Sequence, residues 1–460
     1  MKSNSPFLKK ATGVWLILFS CLASATAQWP QFRGAEQNMI VAKSDLPATW
    51  SETQHVKWIY PMEGTGWSSP VVWDNKVFIT SAVTIKKVKV QTPPPPPPPV
   101  QGTATAAPAA PREEVEDTSY RQDVYRWEVV CVDLNTGKEI WKQVAIEGSP
   151  RVKTHDGNGY AAETPVTDGK RVYAYFGMTG LFCFDMDGKL LWKKDLGAFR
   201  TQKGWGTGSS PVVYNNILYV QVDNEINSFL VALDAQTGKE KWKALRDEKT
   251  NYSTPVIWKN SIRNELVVSG KTARSYDLNT GNVLWEMKIP GEYNVPSPVV
   301  EKDMLYIGNA GGRETKGSLF AVKAGATGDI SLTGEVRSKH IVWSIAEAPV
   351  GNPSPVLHNG YLYVLSSRGG ELNCYDASNG NTVYIKKIEN VTACWSTPWV
   401  YNNIFHFYDE RGIVKQVKTG PQFELIPTQS KLNDKFWASV AVANNSYLFK
   451  GAKKLYCIKL

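Results

Sequence analysis

The stretch Ser210-Pro211-Val212-Val213, followed by Ala232-Leu233-Asp234-Ala235-Gln236-Thr237-Gly238-Lys239-Glu240-Lys241-Trp242, contains the unit from which the chain is built. The unit opens with a small or hydroxyl residue, a proline, and then a β-branched or aromatic pair. This opening recurs at Pro70, Pro165, Pro211, Pro255, Pro298, Pro355 and Pro398, and a degenerate copy runs Ser439-Val440-Ala441-Val442. Self-similarity with a period of roughly forty to fifty residues predicts stacked four-stranded units.

A turn dipeptide and an aromatic residue recur in the second half of the unit. The dipeptides are Thr136-Gly137, Asp187-Gly188, Thr237-Gly238, Thr280-Gly281 and Asn379-Gly380. The aromatics that follow them at a constant offset are Trp141, Trp192, Trp242, Trp285 and Tyr384. A glycine at the end of a short turn supplies the positive φ that a hairpin needs. The constant offset places one large ring at the same point of each outer strand, so we expect these rings to pack between neighbouring blades.

Eight copies of a four-stranded unit predict an all-β fold, an eight-bladed β-propeller of four-stranded antiparallel blades spanning residues 28–460. The last unit ends with residues 455–460, which correspond to a third strand. The missing strand is predicted at residues 55–60, where Trp58 matches the recurrent aromatic. We therefore expect an N-terminal strand to join the last blade and close the ring, and we expect the protein to be a monomer.

The N-terminus has the pattern of a secretory signal peptide over residues 1–27. Lys9 and Lys10 precede an apolar run, and Ala25-Thr26-Ala27 forms a cleavage site of small residues. An alternative is a lipid anchor at Cys21, and we favour a freely released periplasmic or extracellular protein. No later segment is long and apolar enough to cross a bilayer, so the protein is not expected to be transmembrane.

The remaining composition excludes some partners and bonds. The formal net charge is +9, and the basic side chains are scattered through the chain without a stripe of stacking aromatics. Nucleic acid is therefore not an expected partner. Four cysteines occupy the same third-strand position in different units, namely Cys131, Cys183, Cys374 and Cys457. Equivalent positions around a ring are too far apart for a disulfide, so we expect free, buried thiols.

One segment, residues 84–124, interrupts the repeat between the second strand of the first blade (expected to run from Lys76 to Val83) and the third. It contains a proline run from Pro93 to Pro99, an Ala- and Thr-rich stretch, and an acidic patch from Glu113 to Asp117. Such a composition favours polyproline II or disorder. Either a partner-binding segment or a projecting loop without function is compatible with it.

The chain resembles the pyrroloquinoline-quinone-like propeller repeat proteins, which are related to the outer membrane protein assembly factor BamB. The resemblance covers essentially the whole chain after the signal peptide. It is carried by WPQFRG at 29–34, YAAETPVTDG at 160–169, GWGTGSSP at 204–211 and DEKTNYSTP at 247–255, together with the Thr-Gly-Lys repeats. These motifs are specific for the fold and weak for an activity.

Quinone enzymes of this fold, by the same resemblance, bind pyrroloquinoline quinone in the central channel over an aromatic floor. They add a calcium ion bound by Glu and Asn or Asp oxygens, a catalytic Asp and, in many cases, a disulfide between adjacent cysteines. This chain has no adjacent cysteine pair. Oxygen-bearing candidates near the channel are Glu163, Asn251, Asn294 and Asn352, but their spacing requires no metal and no catalytic Asp stands out. A cofactor is therefore not predicted from these residues.

The residues just before each innermost strand differ from blade to blade, and function collects on such loops. The ligand-binding candidates are Trp67, His155, Glu163, Trp205, Tyr252, Asn352, Trp395 and Trp437. The indoles can stack on a flat quinone or on sugar rings, with Glu163 and His155 orienting the ligand through hydrogen bonds. The alternative is that the rings only fill a wide channel.

Three functional classes remain open. The first is a binding or scaffold protein of the cell envelope, whose loops contact an envelope protein or an extended peptide. The second is an oxidoreductase that uses pyrroloquinoline quinone and calcium. The third is a propeller that binds or processes carbohydrate, with a small planar or sugar ligand. We favour the first, without a catalytic role.

Overall fold

The computed structural model describes residues 28–41, 44–88, 119–312 and 315–460. The expected signal peptide and residues 89–118 of the expected insertion lie outside these ranges. The described chain is almost entirely β-structure. Its helices are short 3-10 turns at Ser119–Gln122, Gly177–Thr179 and Gln202–Gly204, and none of these described helices has the length and apolar character needed to span a bilayer.

Eight sheets form the eight predicted blades, each with four antiparallel strands. The first strand of each blade contacts the first strands of its neighbours, which places these strands at the centre of the ring. The strands of blades 1 to 4 are β2 Val71–Trp73, β3 Lys76–Lys86, β4 Val124–Asp133 and β5 Glu139–Gly148; β6 Val166–Thr167, β7 Arg171–Tyr175, β8 Leu181–Asp185 and β9 Leu190–Lys194; β10 Val212–Tyr214, β11 Ile217–Val222, β12 Ser228–Asp234 and β13 Glu240–Arg246; β14 Val256–Lys259, β15 Asn264–Val268, β16 Thr272–Asp277 and β17 Val283–Lys288.

The second half of the ring repeats this order. The strands of blades 5 to 8 are β18 Val299–Glu301, β19 Met304–Asn309, β20 Gly317–Lys323 and β22 Ile341–Ala348; β23 Val356–His358, β24 Tyr361–Leu365, β25 Glu371–Asp376 and β26 Thr382–Lys387; β27 Trp399–Tyr401, β28 Ile404–Tyr408, β29 Val414–Lys418 and β30 Leu425–Ile426; β31 Ala441–Ala443, β32 Ser446–Lys450, β33 Lys454–Ile458 and the N-terminal β1 Val56–Pro61. A short extra strand, β21 (Gly328–Asp329), pairs in parallel with the outer strand of blade 4.

The closure of the ring agrees with the sequence prediction. Strand β1 pairs antiparallel with β33 and becomes the outer strand of blade 8, with Trp58 opposite Cys457. In blade 1 the hairpin is longer than expected, because β3 continues past Val83 to Lys86 and pairs there with Val124. The insertion therefore leaves from the tip of an extended hairpin.

A constant row of side chains crosses each regular blade. In blade 3 the row is Val212, Tyr219, Ala232 and Trp242, each paired with the next across the sheet. The tyrosine and tryptophan rings lie 5.9 Å apart across the small third residue, which explains why that position holds only alanine, serine or cysteine in regular blades. The five cysteines of the described ranges are buried free thiols.

Five outer-strand tryptophans pack against the turn of the following blade, namely Trp58, Trp141, Trp192, Trp242 and Trp343. Trp285 is an exception to the prediction, because its indole Nε1 donates to Glu265 Oε2 of its own blade. The Gly281 turn has a φ of +73°, and a Cβ placed there would lie 2.5 Å from the Trp242 ring. The Trp242 indole Nε1 also donates to the carbonyl oxygen of Leu278 at 3.1 Å. The same contact joins Trp58 to Gly137 across the closure between blades 8 and 1. These tryptophans therefore connect neighbouring blades.

A ring of hydroxyl side chains circles the central channel. Its members precede the innermost strands and are all buried, namely Ser69, Thr164, Ser210, Thr254, Ser297, Ser354, Thr397 and Ser439. Backbone N–H groups of this ring donate to the hydroxyl oxygen of the next blade in seven bonds of 2.9–3.1 Å. The hydroxyl residue before each repeat proline therefore links neighbouring blades.

The N-terminal segment, residues 28–41, lies inside this ring of innermost strands. Trp29 pairs with Val72 of blade 1 and Ile40 pairs with Val400 of blade 7. Between them, Arg33 Nη1 donates to the carbonyl oxygen of Pro298 at 2.5 Å, and the Gln37 side chain bonds Pro255 and Ile257 of blade 4. Burial lowers the pKa of Arg33 to about 9. The segment fills the channel and bonds blades on opposite sides of the ring.

Candidate functional site

Two sets of loops open on one end of the propeller, which we call the mouth. They are the segments that enter the innermost strands and the loops between the second and third strands. Both lie at this end because successive antiparallel strands reverse direction. The candidate residues from the sequence all lie on the entering segments. The structure places six of them in three groups and leaves Tyr252 and Asn352 apart.

The first group is a stack of three indoles from three blades. Trp67 and Trp437 have ring centroids 4.8 Å apart with planes inclined at 27°. Trp437 and Trp395 have centroids 5.0 Å apart with a larger inclination of 40°. These residues enter blades 1, 8 and 7, so the stack crosses the closure of the ring. Contacts at these separations are favourable for aromatic pairs. We call Trp395, Trp437 and Trp67 the indole stack.

Neighbouring side chains hold the indole stack in place. Trp67 Nε1 donates to the carbonyl oxygen of Gly157 at 2.8 Å, and Trp395 Nε1 donates to Glu410 Oε2 at 3.2 Å. Below Trp67, the buried Lys450 amine donates to the carbonyl oxygen of Gly66 at 2.5 Å. Burial lowers the pKa of Lys450 to about 7. The loop that carries Trp67 is therefore fixed by a buried amine that the repeat pattern did not reveal.

Two cations lie over the faces of the stack. The Lys435 amine is 4.6 Å from the centroid of Trp437 and 5.7 Å from that of Trp67. The Arg368 guanidinium is 5.6 Å from the centroid of Trp395. Both side chains are exposed. Cations at these distances are attracted by the electron-rich ring faces.

A broad depression of about 560 Å³ adjoins the stack between blades 7 and 8. Charged and polar residues line it, namely Glu410, Arg411, Lys431, Asn433, Asp434 and Lys435. Asp434 is engaged by the backbone, because its carboxylate accepts N–H groups of Lys435, Lys453 and Lys454 at 2.8–3.0 Å. The depression therefore combines a fixed polar wall with an aromatic edge.

The second group is a stacked pair at blades 2 and 3. The His155 and Trp205 rings have centroids 4.1 Å apart, inclined at 20°. Trp205 is 39 % exposed, which makes it the most exposed tryptophan of the mouth. Gly157 connects this pair to the indole stack, because its N–H donates to His155 Nδ1 while its carbonyl accepts from Trp67. The aromatic residues therefore form an arc around part of the mouth.

The third candidate feature is the Glu163 carboxyl, which is buried near the wall between blades 2 and 3. Its Oε1 accepts a hydrogen bond from the Thr207 hydroxyl. Burial raises the pKa of Glu163 to about 7, although hydrogen bonds partly oppose this. Its depth means that it cannot contact a ligand lying on Trp205 without rearrangement.

A buried ion pair lies beside Glu163. Arg246 Nε donates to Asp223 Oδ1 at 2.9 Å, and Arg246 also bonds Tyr276 and Ser269. A cavity of about 20 Å³ adjoins Asp223 and Thr207, which is room for one water molecule. The sequence did not single out Arg246, because other outer strands also end in basic residues. Arg246 therefore links blade 3 to blade 4 through Tyr276 and Ser269.

Tyr252 and Asn352 do not join these groups. The Tyr252 backbone N–H bonds the carbonyl oxygen of Asn294, and burial raises the pKa of its phenol. Asn352 is held through its backbone N–H by the Ser367 hydroxyl at 2.6 Å. The mouth therefore has an aromatic arc formed by the first two groups, and Tyr252 and Asn352 lie outside it.

Glu163 and Asn251 do not come together as a site for a calcium-bound quinone. Glu163 bonds Thr207, while Asn251 is engaged by Asp223, Ser269 and the N–H of Ser253. These groups lie in separate interblade contacts, and the indoles that would form a floor stack on one another. Within the described ranges, no three His, Cys, Asp or Glu side chains are grouped so that they could hold a metal ion.

Comparisons with known proteins match part of the chain. Residues 126–313 match the family model described as outer membrane protein assembly factor BamB. BamB of Moranella endobia is 28 % identical over 195 residues, which are 42 % of this chain and 45 % of that protein. The tetrathionate hydrolase of Acidithiobacillus ferrooxidans is 24 % identical over 208 residues, which are 42 % of this chain and 40 % of that protein.

The structural comparison agrees on the fold. The quinohemoprotein alcohol dehydrogenase of Comamonas testosteroni has a TM-score of 0.55 and 12 % identity, covering 94 % of this chain and 80 % of that one. The matched part of the chain spans less than half the length of either curated relative. One relative is named as an assembly factor and the other as an enzyme, so the matches do not select an activity. With its eight blades and recurrent interblade tryptophans, the chain is an eight-bladed β-propeller, and its residues 126–313 are similar to the pyrroloquinoline-quinone-like repeats of BamB.

Proposed function

We propose that this protein is exported to the cell envelope and acts there as a binding or scaffold protein. Its mouth would contact an envelope protein or an extended peptide segment. The main observation in support of this proposal is that the indole stack lies beside the depression of about 560 Å³. Together they combine a preformed aromatic surface with a broad polar wall. Similarity to a protein named as an assembly factor of the outer membrane supports the same class.

The form of this surface suits a macromolecule. Tryptophan rings and arginine side chains carry much of the energy in protein interfaces, and they act when surrounded by contacts that exclude water. Here two of the three rings are fixed before binding, since Trp67 and Trp395 are each held by a hydrogen bond from their indole nitrogen. Rigid anchors lose little entropy on association.

The test is capture of a partner from an envelope extract, with crosslinking at the mouth. The protein is expressed with its natural leader, crosslinked from a residue such as Asn433, and the captured proteins are identified. We expect one defined partner, and we expect Trp437→Ala to reduce its recovery at least fivefold. Loss of a hot-spot aromatic at an interface is expected to cost about 2 kcal/mol or more.

A matched control separates binding from folding. Trp73 is a half-buried tryptophan at the end of an innermost strand, away from the mouth, where it packs against Gly169. Trp73→Ala should lower stability without changing recovery of the partner. Equal recovery from Trp437→Ala and wild-type protein would refute a role for the indole stack.

A carbohydrate ligand is the second candidate, and the exposed Trp205 face favours it. A ring that is 39 % exposed and stacked on His155 offers a flat surface to a sugar. Titration with envelope-type oligosaccharides should then quench tryptophan fluorescence, and Trp205→Ala should abolish the change. The oxidoreductase class is tested separately. The protein is mixed with pyrroloquinoline quinone and calcium, and a rise in its thermal unfolding temperature would indicate that the cofactor binds.

A further inference from the structure

We propose that the partner segment bound at the mouth is acidic, with carboxylate side chains that pair with Lys435, Arg368 and Lys431. This inference rests on the proposed function and specifies the chemistry of the partner. The chain itself supplies the argument, because charges around the indole stack are unequally satisfied within the protein.

The carboxylates of this region already have partners. Both oxygens of Asp434 accept backbone N–H groups, and one oxygen of Glu410 accepts the indole N–H of Trp395. Arg411 is likewise occupied, since it bonds the Asp409 carboxylate and the carbonyl oxygen of Asn390. These contacts hold the wall of the depression in place.

The remaining cations are exposed and have no ion pair or hydrogen bond from the side chain within the described part of the chain. They are Lys435 and Arg368, which rest on the indole faces, and Lys431, which lines the depression. The ring contacts hold two of these cations at defined positions above the stack. A carboxylate that approaches from solvent can therefore pair with a cation that is already oriented.

The arrangement also specifies the form of the partner. The three indoles come from neighbouring blades and lie in a row, so the cations above them are spread along the stack. A single small anion can contact one of them, whereas an extended segment with several Asp or Glu residues can contact all of them. Steering by such complementary charge raises the association rate and depends on salt.

The experiment compares two labelled peptides of equal length with the whole exported protein. One alternates Glu with Phe and Gly, and the other has Gln in place of every Glu. Fluorescence anisotropy is recorded at low, physiological and high sodium chloride. We expect the Glu peptide to bind at least tenfold more tightly than the Gln peptide at low salt, and this preference should shrink as salt rises.

Variants locate the contact. Lys435→Gln should weaken binding of the Glu peptide at least fivefold and leave the affinity for the Gln peptide unchanged. Lys435→Arg keeps the positive charge and should bind the Glu peptide nearly as tightly as the wild-type protein does. Lys418→Gln is the matched control, because Lys418 is an exposed lysine paired with Glu424 in the outer hairpin of blade 7. Wild-type behaviour of Lys435→Gln, or equal binding of the two peptides, would overturn the proposal.

Other occupants give distinguishable results. Binding to vesicles of anionic phosphatidylglycerol but not to the Glu peptide would overturn the inference in favour of a membrane surface. If envelope capture yields a partner crosslinked at the mouth through a segment without Asp or Glu, the scaffold function stands and the acidic-segment inference fails. If nothing is crosslinked at the mouth, both fail.

Discussion

Glu163 shows how burial gives one side chain a measurable signature. Its carboxyl lies in the protein interior with the Thr207 hydroxyl as a hydrogen-bond donor, and burial raises its pKa to about 7. A carboxyl whose folded pKa lies above its unfolded value of 4.5 binds more protons in the folded state between those two values. Its contribution to stability is therefore complete below pH 4.5 and is lost as the pH rises towards 7.

Glu163→Gln should remove this pH dependence. The amide keeps an oxygen for the Thr207 hydroxyl but does not ionise, so the free energy of unfolding of the variant should gain on wild type as pH rises from 4.5 to about 7. Between these pH values, the difference in free energy of unfolding between the variant and the wild-type protein should increase by at most about 1.4 kcal/mol per pH unit. Urea unfolding at several pH values measures it.

The comparison must be between variants, because another buried group titrates in the same range. Burial lowers the pKa of His406 to about 4, so its contribution to stability changes with pH in the opposite direction. Glu424→Gln, at an exposed carboxylate, is the control and should track wild type. Parallel curves for Glu163→Gln and wild type would contradict the account of Glu163.

The regular blade contains a turn that contacts the outer-strand tryptophan of the preceding blade. In blade 3 the turn is built locally, because Asp234 Oδ1 accepts the N–H groups of Gln236 and Thr237 and the Thr237 hydroxyl. These bonds lower the pKa of Asp234. Gly238 follows with a positive φ. Because it has no Cβ, the Trp192 indole can pack directly against it.

Replacing one such glycine should separate two costs. Gly281→Ala imposes a left-handed conformation on alanine and puts a Cβ 2.5 Å from the Trp242 ring. Gly360→Ala imposes a similar φ of +79° with no atom within 4 Å. We expect about 1 kcal/mol of destabilisation for Gly360→Ala and about 1–3 kcal/mol more for Gly281→Ala. Chemical denaturation measures both, and equal losses would refute packing at the turn.

Blade 7 departs from the regular row, and the departure has a physical reason. Its row holds Trp399, His406 and Gln416 where other blades have a small aliphatic residue, an aromatic or aliphatic residue, and a small residue. Trp399 stacks on His406 with centroids 5.0 Å apart, and the Gln416 amide donates to the carbonyl oxygen of Ala48 at 2.8 Å. Ala48, which precedes β1, therefore satisfies the Gln416 amide, a contact that the repeat alone did not indicate.

The whole ring depends on bonds between its ends and across its centre. Strand β1 completes blade 8, the hydroxyl ring closes from Ser439 to Ser69, and residues 28–41 bond several innermost strands from inside the channel. A propeller whose blades contact only their neighbours gains rigidity from such cross-channel bonds, because they oppose separation at any single blade interface.

Removal of residues 28–41 should therefore weaken the whole molecule. The truncated chain should retain its β-sheet circular dichroism, while its free energy of unfolding in urea should fall by at least about 3 kcal/mol, at about 1 kcal/mol for each lost hydrogen bond. Gln28→Ala, which removes an exposed side-chain contact with Asp74, is the control and should change little. An unchanged unfolding midpoint after truncation would show that the segment is not structural.

Much of the fold follows from the sequence alone, because its causes are local and repeated. The hydroxyl residue before proline, the glycine of the turn and the offset to tryptophan each satisfy a bond within one blade or to the next. Their recurrence predicted the blade count, the third-strand cysteines and the closure through Trp58. The candidate indoles of the mouth were also identified, since they break the repeat just before each innermost strand.

Contacts among non-repeated residues were decided only in the tertiary structure. Trp67 and Trp437 are far apart in sequence and meet because blade 8 lies beside blade 1 once the ring closes. No local sequence pattern indicates that Lys435 and Arg368 lie over those rings. The same is true of the burial of Lys450 and Arg246 and of the contact of Arg33 with Pro298. Such contacts depend on how blades are placed around the axis, and no single repeat encodes that geometry.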